Sequence, residues 1–337
     1  MNKVSSILEH LAKGQDLSVE QASMFFGLIM TGEIEPAQAG AFLLGLRTKG
    51  ETAGELSAAV NTALQHARLV TGLTGTRIDT CGTGGDGRHS FNCSTAVSFF
   101  LADMGYQVVK HGNRAISSSC GSADVVEHLG LPLVNAPEDA TAELAKHNFV
   151  FLFAPYFHPA FRHIGPIRQQ LGIRTVFNFM GPLLNPALPT HQILGVPNFG
   201  LAPLIAQVLA DRPSLEKAAI VHGAGGFDEL TPCGPGQIIF VEHGQVRESV
   251  LDPTDFGLPV CAAQDLACAS KEEALALQRL VLAGDGPDAL QNMVTLNLGV
   301  AIFLLEKGMK LKTAMAVAKE KVAKGLSGSL AGRLGHA

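Results

Sequence analysis

From about residue 76 onward, the chain repeats one pattern: a short β-branched run, a glycine-rich or polar loop, and a helical pattern. This alternation is typical of a mainly parallel sheet, because each parallel strand needs a long crossover before the next one. We therefore expect an α/β fold with a mainly parallel central sheet flanked by helices. The predicted strands are residues 77–81, 107–110, 149–153, 191–195, 218–222 and 237–241.

The first seventy residues carry helix signals only. Ser18 with Gln21 and Thr52 with Glu55 have capping-box spacing, and Pro36 stands where a first helical residue should. About four short helices are expected here. Their apolar residues exceed what four short helices can bury among themselves, which indicates a partner surface.

The chain is therefore expected to form two domains. The first is a smaller all-helical N-terminal domain, residues 1–70, joined by about residues 166–185, where Gly-Pro and Asn-Pro turns interrupt the strand pattern. The second is the α/β domain, which would consist of residues 71–165 and 186–337.

Composition narrows the class of protein. A formal net charge of −5 gives no broad basic field, so we expect no nucleic-acid partner and only local phosphate binding. Six cysteines without a CxxC pair are typical of a reducing compartment. The N-terminal residues lack the apolar segment of a signal peptide, and no stretch reaches the roughly 18 uncharged apolar residues of a membrane span. A cytoplasmic protein without membrane contact is expected.

The most specific local signal is the loop at residues 79–87, Asp-Thr-Cys-Gly-Thr-Gly-Gly-Asp-Gly. Such a loop exposes backbone N–H groups to an anion. Its spacing also satisfies the dinucleotide-binding pattern, but no helix can begin directly after Gly87, and the next strand ends at Lys110 rather than at an acid. A P-loop is excluded because no Gly-Lys-Ser or Gly-Lys-Thr follows. The loop is predicted to bind phosphate, and a dinucleotide site and a purely structural glycine turn stay open as alternatives.

Two further segments suit anions. Residues 92–95, Asn-Cys-Ser-Thr, place an amide and two hydroxyls at a helix N-terminus, which serves either ordinary capping or phosphate binding. Residues 110–124 combine Lys110 and Arg114 with an amide and four serines, and Ser122 is expected to cap the following helix. Together with the glycine loop, these segments indicate a pyrophosphate cradle.

Candidate charged ligands occur at two more places. Asp228 and Glu229 follow a strand and several glycines, and they suit Mg²⁺ if phosphate lies opposite, although such a pair alone is commonly just solvated. Arg168, near Arg162 and Arg174, either clamps a substrate carboxylate or carries surface charge. The histidines without metal-ligand spacing or a nucleophile partner are expected to be structural; they are His111, His158, His163 and His222.

Four segments in this order resemble the anthranilate phosphoribosyltransferase family: residues 82–87, 110–114, 181–186 and 227–229. The resemblance extends over nearly the whole chain. It implies a homodimer formed through the helical domain and the use of phosphoribosyl pyrophosphate (PRPP) with Mg²⁺, as two ions. The implied reaction transfers the phosphoribosyl group from PRPP to the amine of anthranilate and releases pyrophosphate, in tryptophan biosynthesis.

The resemblance also assigns site residues. Those implied to bind PRPP are Gly82, Gly85, Asp86, Ser90, Asn92, Cys93, Ser94, Thr95, Lys110, His111, Gly112, Asn113, Arg114, Ala115, Ile116, Ser117, Ser118 and Ser122. Those implied to bind anthranilate are Gly82, Asn113 and Arg168, and those implied to hold metal are Ser94, Asp228 and Glu229. No residue is assigned as a general acid or base, and Lys110 is expected to act electrostatically.

Two other functions stay open. A pyrimidine nucleoside phosphorylase has a similar fold and also attacks the sugar C1, but it would bind inorganic phosphate and would not need paired metal ligands. A non-catalytic relative that binds nucleic acid would show degraded phosphate loops and a basic surface.

Overall fold

The computed structural model describes residues 3–85, 87–88, 90–114 and 120–333. The chain forms two compact units. The helical unit consists of Met1–Leu69 and Ala154–Pro186, and the α/β unit consists of Val70–Phe153 and Ala187–Ala337. The segment that joins the helical unit thus begins at Ala154, earlier than the expected residue 166, because Phe157 and Phe161 already pack within that unit.

The described part of the chain contains thirteen α-helices. They are α1 (Lys3–Ala12), α2 (Val19–Thr31), α3 (Pro36–Lys49), α4 (Ala53–Gln65), α5 (Cys93–Asp103), α6 (Ser122–His128), α7 (Pro137–His147), α8 (Ala154–Phe157), α9 (Phe161–Leu171), α10 (Ala202–Ala210), α11 (Lys271–Ala283), α12 (Asp288–Leu305) and α13 (Leu311–Lys324). Helices α1–α4, α8 and α9 belong to the helical unit, which confirms the four helices predicted in the first seventy residues.

Local sequence explains where these helices begin. Ser18 Oγ accepts a hydrogen bond from the Gln21 N–H, and the Gln21 side chain accepts one from the Ser18 N–H at 2.9 Å. Thr52 and Glu55 form the same reciprocal pair at the start of α4. Pro36 opens α3, where its fixed φ suits the first turn. All three predicted helix starts are confirmed.

The core of the helical unit is aromatic. The Phe25 and Phe42 rings stack with centroids 3.9 Å apart, and Phe26 meets Phe177 of the returning segment edge-on at 6.2 Å. The apolar residues of α2 and α3 are therefore covered largely by the same chain. Leu44 differs from its buried neighbours because its side chain is 50% exposed. Most of the partner surface that the sequence indicated is thus intramolecular.

The α/β unit contains an eight-stranded sheet in the order β3-β4-β2-β1-β5-β6-β7-β8. Its strands are β1 (Arg77–Gly82), β2 (Gln107–Gly112), β3 (Leu133–Val134), β4 (Phe149–Phe153), β5 (His191–Gly195), β6 (Lys217–His222), β7 (Gly236–Glu242) and β8 (Gln245–Leu251). All pairs are parallel except β6 with β7 and β7 with β8. The predicted fold class and all six predicted strands are confirmed, whereas β3 and β8 were not predicted.

Helix α12 lies in the core of the α/β unit. Among the described residues, it is the one helix long and apolar enough to cross a membrane by length and composition. Two thirds of that stretch are buried inside the protein, as expected for a core helix. The neighbouring α5 is also apolar and mostly buried, and the two helices pack together.

Candidate active site

Three glycines at the carboxyl ends of neighbouring strands bring an acidic loop close to the sheet. A Cβ atom at Gly82 would lie 2.3 Å from Asp228 Oδ2, and one at Gly195 would lie 1.4 Å from the Asp228 carbonyl oxygen. A Cβ atom at Gly223 would lie 1.9 Å from the Glu229 carbonyl oxygen. Only residues without a side chain allow this approach, so these glycines position the Asp228–Glu229 pair.

The acidic pair also meets the glycine loop that follows β1. The Gly84 N–H donates a hydrogen bond of 2.9 Å to Asp228 Oδ2, and Asp228 is only 7% exposed. The Thr83 N–H donates to the Gly195 carbonyl at 2.9 Å, which ties the loop to the end of β5. The structure therefore brings together two segments that are far apart in sequence.

Ser94, Asp228 and Glu229 line one small cavity at the strand ends. A hydroxyl and two carboxylates are hard oxygen donors, which suit Mg²⁺ when phosphate oxygens and water complete its shell. Within residues 3–85, 87–88, 90–114 and 120–333, no group of three His, Cys, Asp or Glu side chains could hold a metal ion. The donor set thus fits Mg²⁺ bound jointly with a phosphorylated ligand.

Lys110 contacts two residues that line this cavity. Its side chain is 2% exposed within β2, and its Nζ donates to the Thr80 carbonyl and, at 3.2 Å, to Ser94 Oγ. Burial lowers the pKa of Lys110, and the negative charges of Asp79 and Glu229 oppose that shift. The ammonium therefore links the Ser94 hydroxyl to the backbone of β1.

The N-terminus of α5 is not closed by ordinary side-chain capping. Asn92 occupies the N-cap position without a side-chain cap, and its Nδ2 donates instead to the Cys120 carbonyl at 3.3 Å. Thr95 Oγ1 is buried and has no hydrogen-bond partner among the described residues. Neither the Asn92 amide nor the Thr95 hydroxyl therefore caps α5.

Cys93 turns its side chain away from the cavity and into the core. It is fully buried, and burial raises the pKa of its thiol well above the ordinary value. Its Sγ accepts a hydrogen bond of 3.4 Å from Asn297 Nδ2. Of Cys93, only the backbone is thus in a position to contact a ligand at this helix terminus.

Described residues from both ends of the segment 110–124 meet at the start of α6. The Ser122 hydroxyl donates to the Asn113 carbonyl at 3.4 Å, and a Cβ atom at Gly112 would lie 2.6 Å from Ser122 Oγ. The prediction that Ser122 caps α6 is wrong, because Gly121 is the N-cap and Ser122 is the first helical residue. Asp124 accepts the Gly121 N–H at 2.9 Å and so closes this terminus.

The other predicted PRPP residues differ in their surroundings. Arg114 is exposed and donates to Glu127 at 2.8 Å, so its charge already has a carboxylate partner. Ser90 forms an isolated β-bridge with Ala267, and Gly85 and His111 are half-buried. The predicted residues outside the described part of the chain are Asp86, Ala115, Ile116, Ser117 and Ser118.

Known protein families and relatives match this chain over most of its length. Two sequence models match the chain: glycosyl transferase family, helical bundle domain, over residues 5–67, and glycosyl transferase family, a/b domain, over residues 74–327. An anthranilate phosphoribosyltransferase from Oleidesulfovibrio alaskensis is 53% identical over 329 residues, which cover 97% of this chain and 98% of that protein. This chain belongs to the anthranilate phosphoribosyltransferase family.

Solved structures of anthranilate phosphoribosyltransferases share the fold. The enzyme from Thermus thermophilus superposes with a TM-score of 0.88 at 36% identity, covering 97% of this chain and 98% of that one. The enzyme from Saccharomyces cerevisiae, solved in complex with PRPP and Mg, superposes with a TM-score of 0.86 at 28% identity and covers 99% and 96%. The resemblance inferred from four sequence segments is thereby confirmed.

Asn297 supports the acidic pair, and its role was not predicted from the sequence. Asn297 in α12 is 3% exposed, and its Oδ1 accepts the Leu230 N–H at 3.1 Å. Its Nδ2 donates to the carbonyls of Leu230 and Met293, each at 2.8 Å. Asn297 therefore holds the residue directly after Glu229. The available signal was an amide inside an otherwise apolar helix.

Arg168, which the anthranilate phosphoribosyltransferase resemblance assigns to anthranilate, lies in α9 of the helical unit. Its guanidinium is 5.7 Å from the centroid of the Phe177 ring, and burial lowers its pKa. Gly82 and Asn113 belong to the α/β unit. An anthranilate site shared by these three residues stays a prediction.

Proposed function

We propose that this chain transfers the phosphoribosyl group of PRPP to the amine of anthranilate, with release of pyrophosphate, as a step of tryptophan biosynthesis. The observation that carries the proposal is the hydrogen bond between the Gly84 N–H and Asp228 Oδ2. It joins an amide-rich loop to an acidic pair at the end of the sheet. A relative named for this activity is similar along almost its whole length, which supports the same conclusion.

The pyrophosphate and 5-phosphate groups of PRPP need convergent donors. The N-terminus of α5 supplies neutral donors, and the helix dipole favours an anion there. Thr95 Oγ1, buried without a described partner, is a further donor of this kind. The Thr83 and Gly84 N–H groups of the loop after β1 instead hold that loop to Gly195 and Asp228. Lys110 contributes a positive charge and holds Ser94 in place. We assign these groups to PRPP binding.

Ser94, Asp228 and Glu229 are the residues that would hold Mg²⁺, proposed as two ions. When bound, the cation would neutralise charge that develops on the departing pyrophosphate. The solved yeast relative is a complex with PRPP and Mg. In this chain, the hydrogen bond from Gly84 fixes the orientation of the Asp228 carboxylate, and Asn297 fixes the backbone after Glu229.

The chemistry requires positioning more than proton transfer. An aromatic amine is unprotonated at neutral pH, so it can attack the sugar C1 as the bond to pyrophosphate breaks, without a strong general base. The main barrier is charge on the leaving group, which oriented N–H donors and Lys110 stabilise electrostatically. Arg168 is proposed to bind the anthranilate carboxylate through its guanidinium fork.

We also propose a cytoplasmic homodimer assembled through the helical unit. Of the nine large apolar side chains that are exposed in the described part of the chain, five belong to this smaller unit. They are Val19, Leu44, Leu69, Tyr156 and Ile173. None of the six cysteines, all of which lie in the described part of the chain, forms a disulfide, which supports a reducing compartment. Sedimentation analysis that finds only monomer at micromolar concentration would remove the dimer.

A fluorescence assay tests the function. Anthranilate consumption is followed with PRPP present, with and without Mg²⁺, and we expect turnover only when donor, acceptor and cation are all present. The same preparation is then given thymidine and inorganic phosphate to test the nucleoside phosphorylase alternative. Absence of anthranilate turnover, or phosphorolysis of thymidine, would overturn the proposal. Salt-sensitive binding of single-stranded DNA would instead favour a nucleic-acid-binding relative.

A further inference from the structure

Two thiols of the α/β unit face each other beside the proposed PRPP site. The Sγ atoms of Cys233 and Cys261 are 3.8 Å apart, and both residues are half-buried. The Cys261 N–H also donates a hydrogen bond of 3.1 Å to the Pro232 carbonyl. The backbone therefore holds the two loops together where the thiols meet.

Each cysteine lies on a segment that leads to the site. Cys233 is in the turn between Glu229 and β7. On the other side, residues 261–267, here called the strap segment, reach the end of the glycine loop. The Leu266 carbonyl accepts the Phe91 N–H at 3.0 Å, and Ala267 forms the β-bridge with Ser90. The strap segment thus connects the turn of Cys233 with the chain leading into α5.

We propose that Cys233 and Cys261 form a redox modification site, which closes an intramolecular disulfide with a low-molecular-weight disulfide such as oxidised glutathione and thereby weakens PRPP binding. The effect on PRPP rests on the proposed function, whereas formation of the disulfide does not. The disulfide would join the turn of Cys233, which follows Glu229, covalently to the strap segment. It would therefore restrict two segments that border the proposed PRPP site.

The chemistry balances as two successive thiol–disulfide exchanges. The thiolate of one cysteine attacks the glutathione disulfide, which forms a mixed disulfide and expels one glutathione thiolate. The second cysteine attacks the mixed disulfide, forms the intramolecular bond and expels the second glutathione. The two protein thiols are oxidised, the reagent is reduced to two thiols, and the cysteine protons pass to the leaving thiolates.

The geometry requires only a local adjustment. The Sγ atoms must approach from 3.8 Å to the roughly 2.0 Å of a disulfide, and the backbone hydrogen bond between Cys261 and Pro232 keeps the loops in register. Burial and the adjacent Cys233 thiol raise the pKa of Cys261 to about 12. Cys261 is therefore a protonated thiol at neutral pH.

The test uses the full-length protein incubated with oxidised glutathione, blocked with an alkylating reagent and digested without reduction. We expect mass spectrometry to find a peptide pair linked through Cys233 and Cys261. The KM for PRPP should rise at least about threefold and return to its starting value after dithiothreitol treatment. Peptides that carry glutathione on single cysteines only, or no modification, would overturn the disulfide.

Two matched variants separate the disulfide from unspecific damage. Cys233→Ser and Cys261→Ser should each show wild-type activity before treatment and no linked peptide pair afterwards, and their KM for PRPP should not respond to oxidised glutathione. An unchanged KM in fully linked wild-type protein would overturn the effect on PRPP. Because the linked peptides are detected by mass, the test of disulfide formation does not depend on which reaction the protein catalyses.

Discussion

Gly82 and Asp228 are so close that a Cβ atom at residue 82 would lie 2.3 Å from Asp228 Oδ2. The contact joins the last residue of β1 to an acid 146 positions later in the numbering. At Gly195, the nearest atom to an added Cβ is instead the Asp228 carbonyl oxygen, at 1.4 Å. The loop of Asp228 therefore packs against Gly82 through the Asp228 carboxylate and against Gly195 through the Asp228 backbone.

The two glycines should respond differently to substitution by alanine. Gly82→Ala should displace the Asp228 carboxylate, which can rotate, so kcat/KM for PRPP should fall by roughly tenfold while the fold persists. Gly195→Ala meets backbone and should lower the free energy of unfolding by about 1–3 kcal/mol or more. Steady-state kinetics and urea unfolding distinguish the two effects. Gly27→Ala, where nothing lies within 4 Å of the added Cβ, should lower neither quantity.

Asn297→Leu should loosen the acidic loop. The substitution keeps a similar volume but leaves the Leu230 N–H and carbonyl without their partner in the core, at a cost of about 1–3 kcal/mol in unfolding free energy. We expect kcat/KM for PRPP to fall as well, because Leu230 directly follows Glu229. Urea unfolding and steady-state kinetics are the measurements. If the variant matches the exposed control Asn61→Ala in both, Asn297 does not hold the loop.

His158 should make the protein less stable in acid. Burial lowers the pKa of His158 from 6.5 to about 4, so between these values the unfolded chain binds more protons than the folded one. Stability should therefore fall as the pH drops through this window, by about 3 kcal/mol in total. Urea midpoints from pH 7 to pH 4 should change less in His158→Gln. The exposed His66→Gln should retain the wild-type dependence.

Arg168→Ala tests the anthranilate assignment. Loss of a charge-assisted contact costs about 1.5–3 kcal/mol, which corresponds to a rise of about 10- to 150-fold in the KM for anthranilate. The KM for PRPP should change little. Initial rates with each substrate varied in turn measure both constants. The exposed neighbour Arg162→Ala is the control, and equal effects of the two substitutions would mean that Arg168 acts only through surface charge.

Local sequence signals predicted much of this structure. The capping pairs at Ser18 and Thr52 and the first helical position of Pro36 were correct, because the spacing of neighbouring residues determines these features. Six of the eight strands were also predicted. Strand β3 has only two residues, and the exposed β8 has no buried apolar pattern, so neither shows a strand signal.

Long-range contacts were harder to predict. The Asp228–Glu229 pair could be suspected as a metal site, but its placement by Gly195 and Gly223 depends on which strands are neighbours in the sheet. The burial of Lys110 and the side-chain hydrogen bonds of Asn297 depend on the same packing. Ser122 was mistaken for a cap because Asp124, two residues later, serves that terminus through Gly121.

Calorimetric titration of PRPP into wild-type protein and into the double variant Asp228→Asn, Glu229→Gln, with and without Mg²⁺, tests whether the acidic pair holds the cation. The amides keep the shape of both side chains but remove the charge that a divalent cation requires. We expect Mg²⁺ to strengthen PRPP binding in the wild type and in the exposed control Asp255→Asn, and to have no effect in the double variant, which should also lack turnover. If Mg²⁺ strengthens PRPP binding equally in the double variant, Asp228 and Glu229 do not hold the cation.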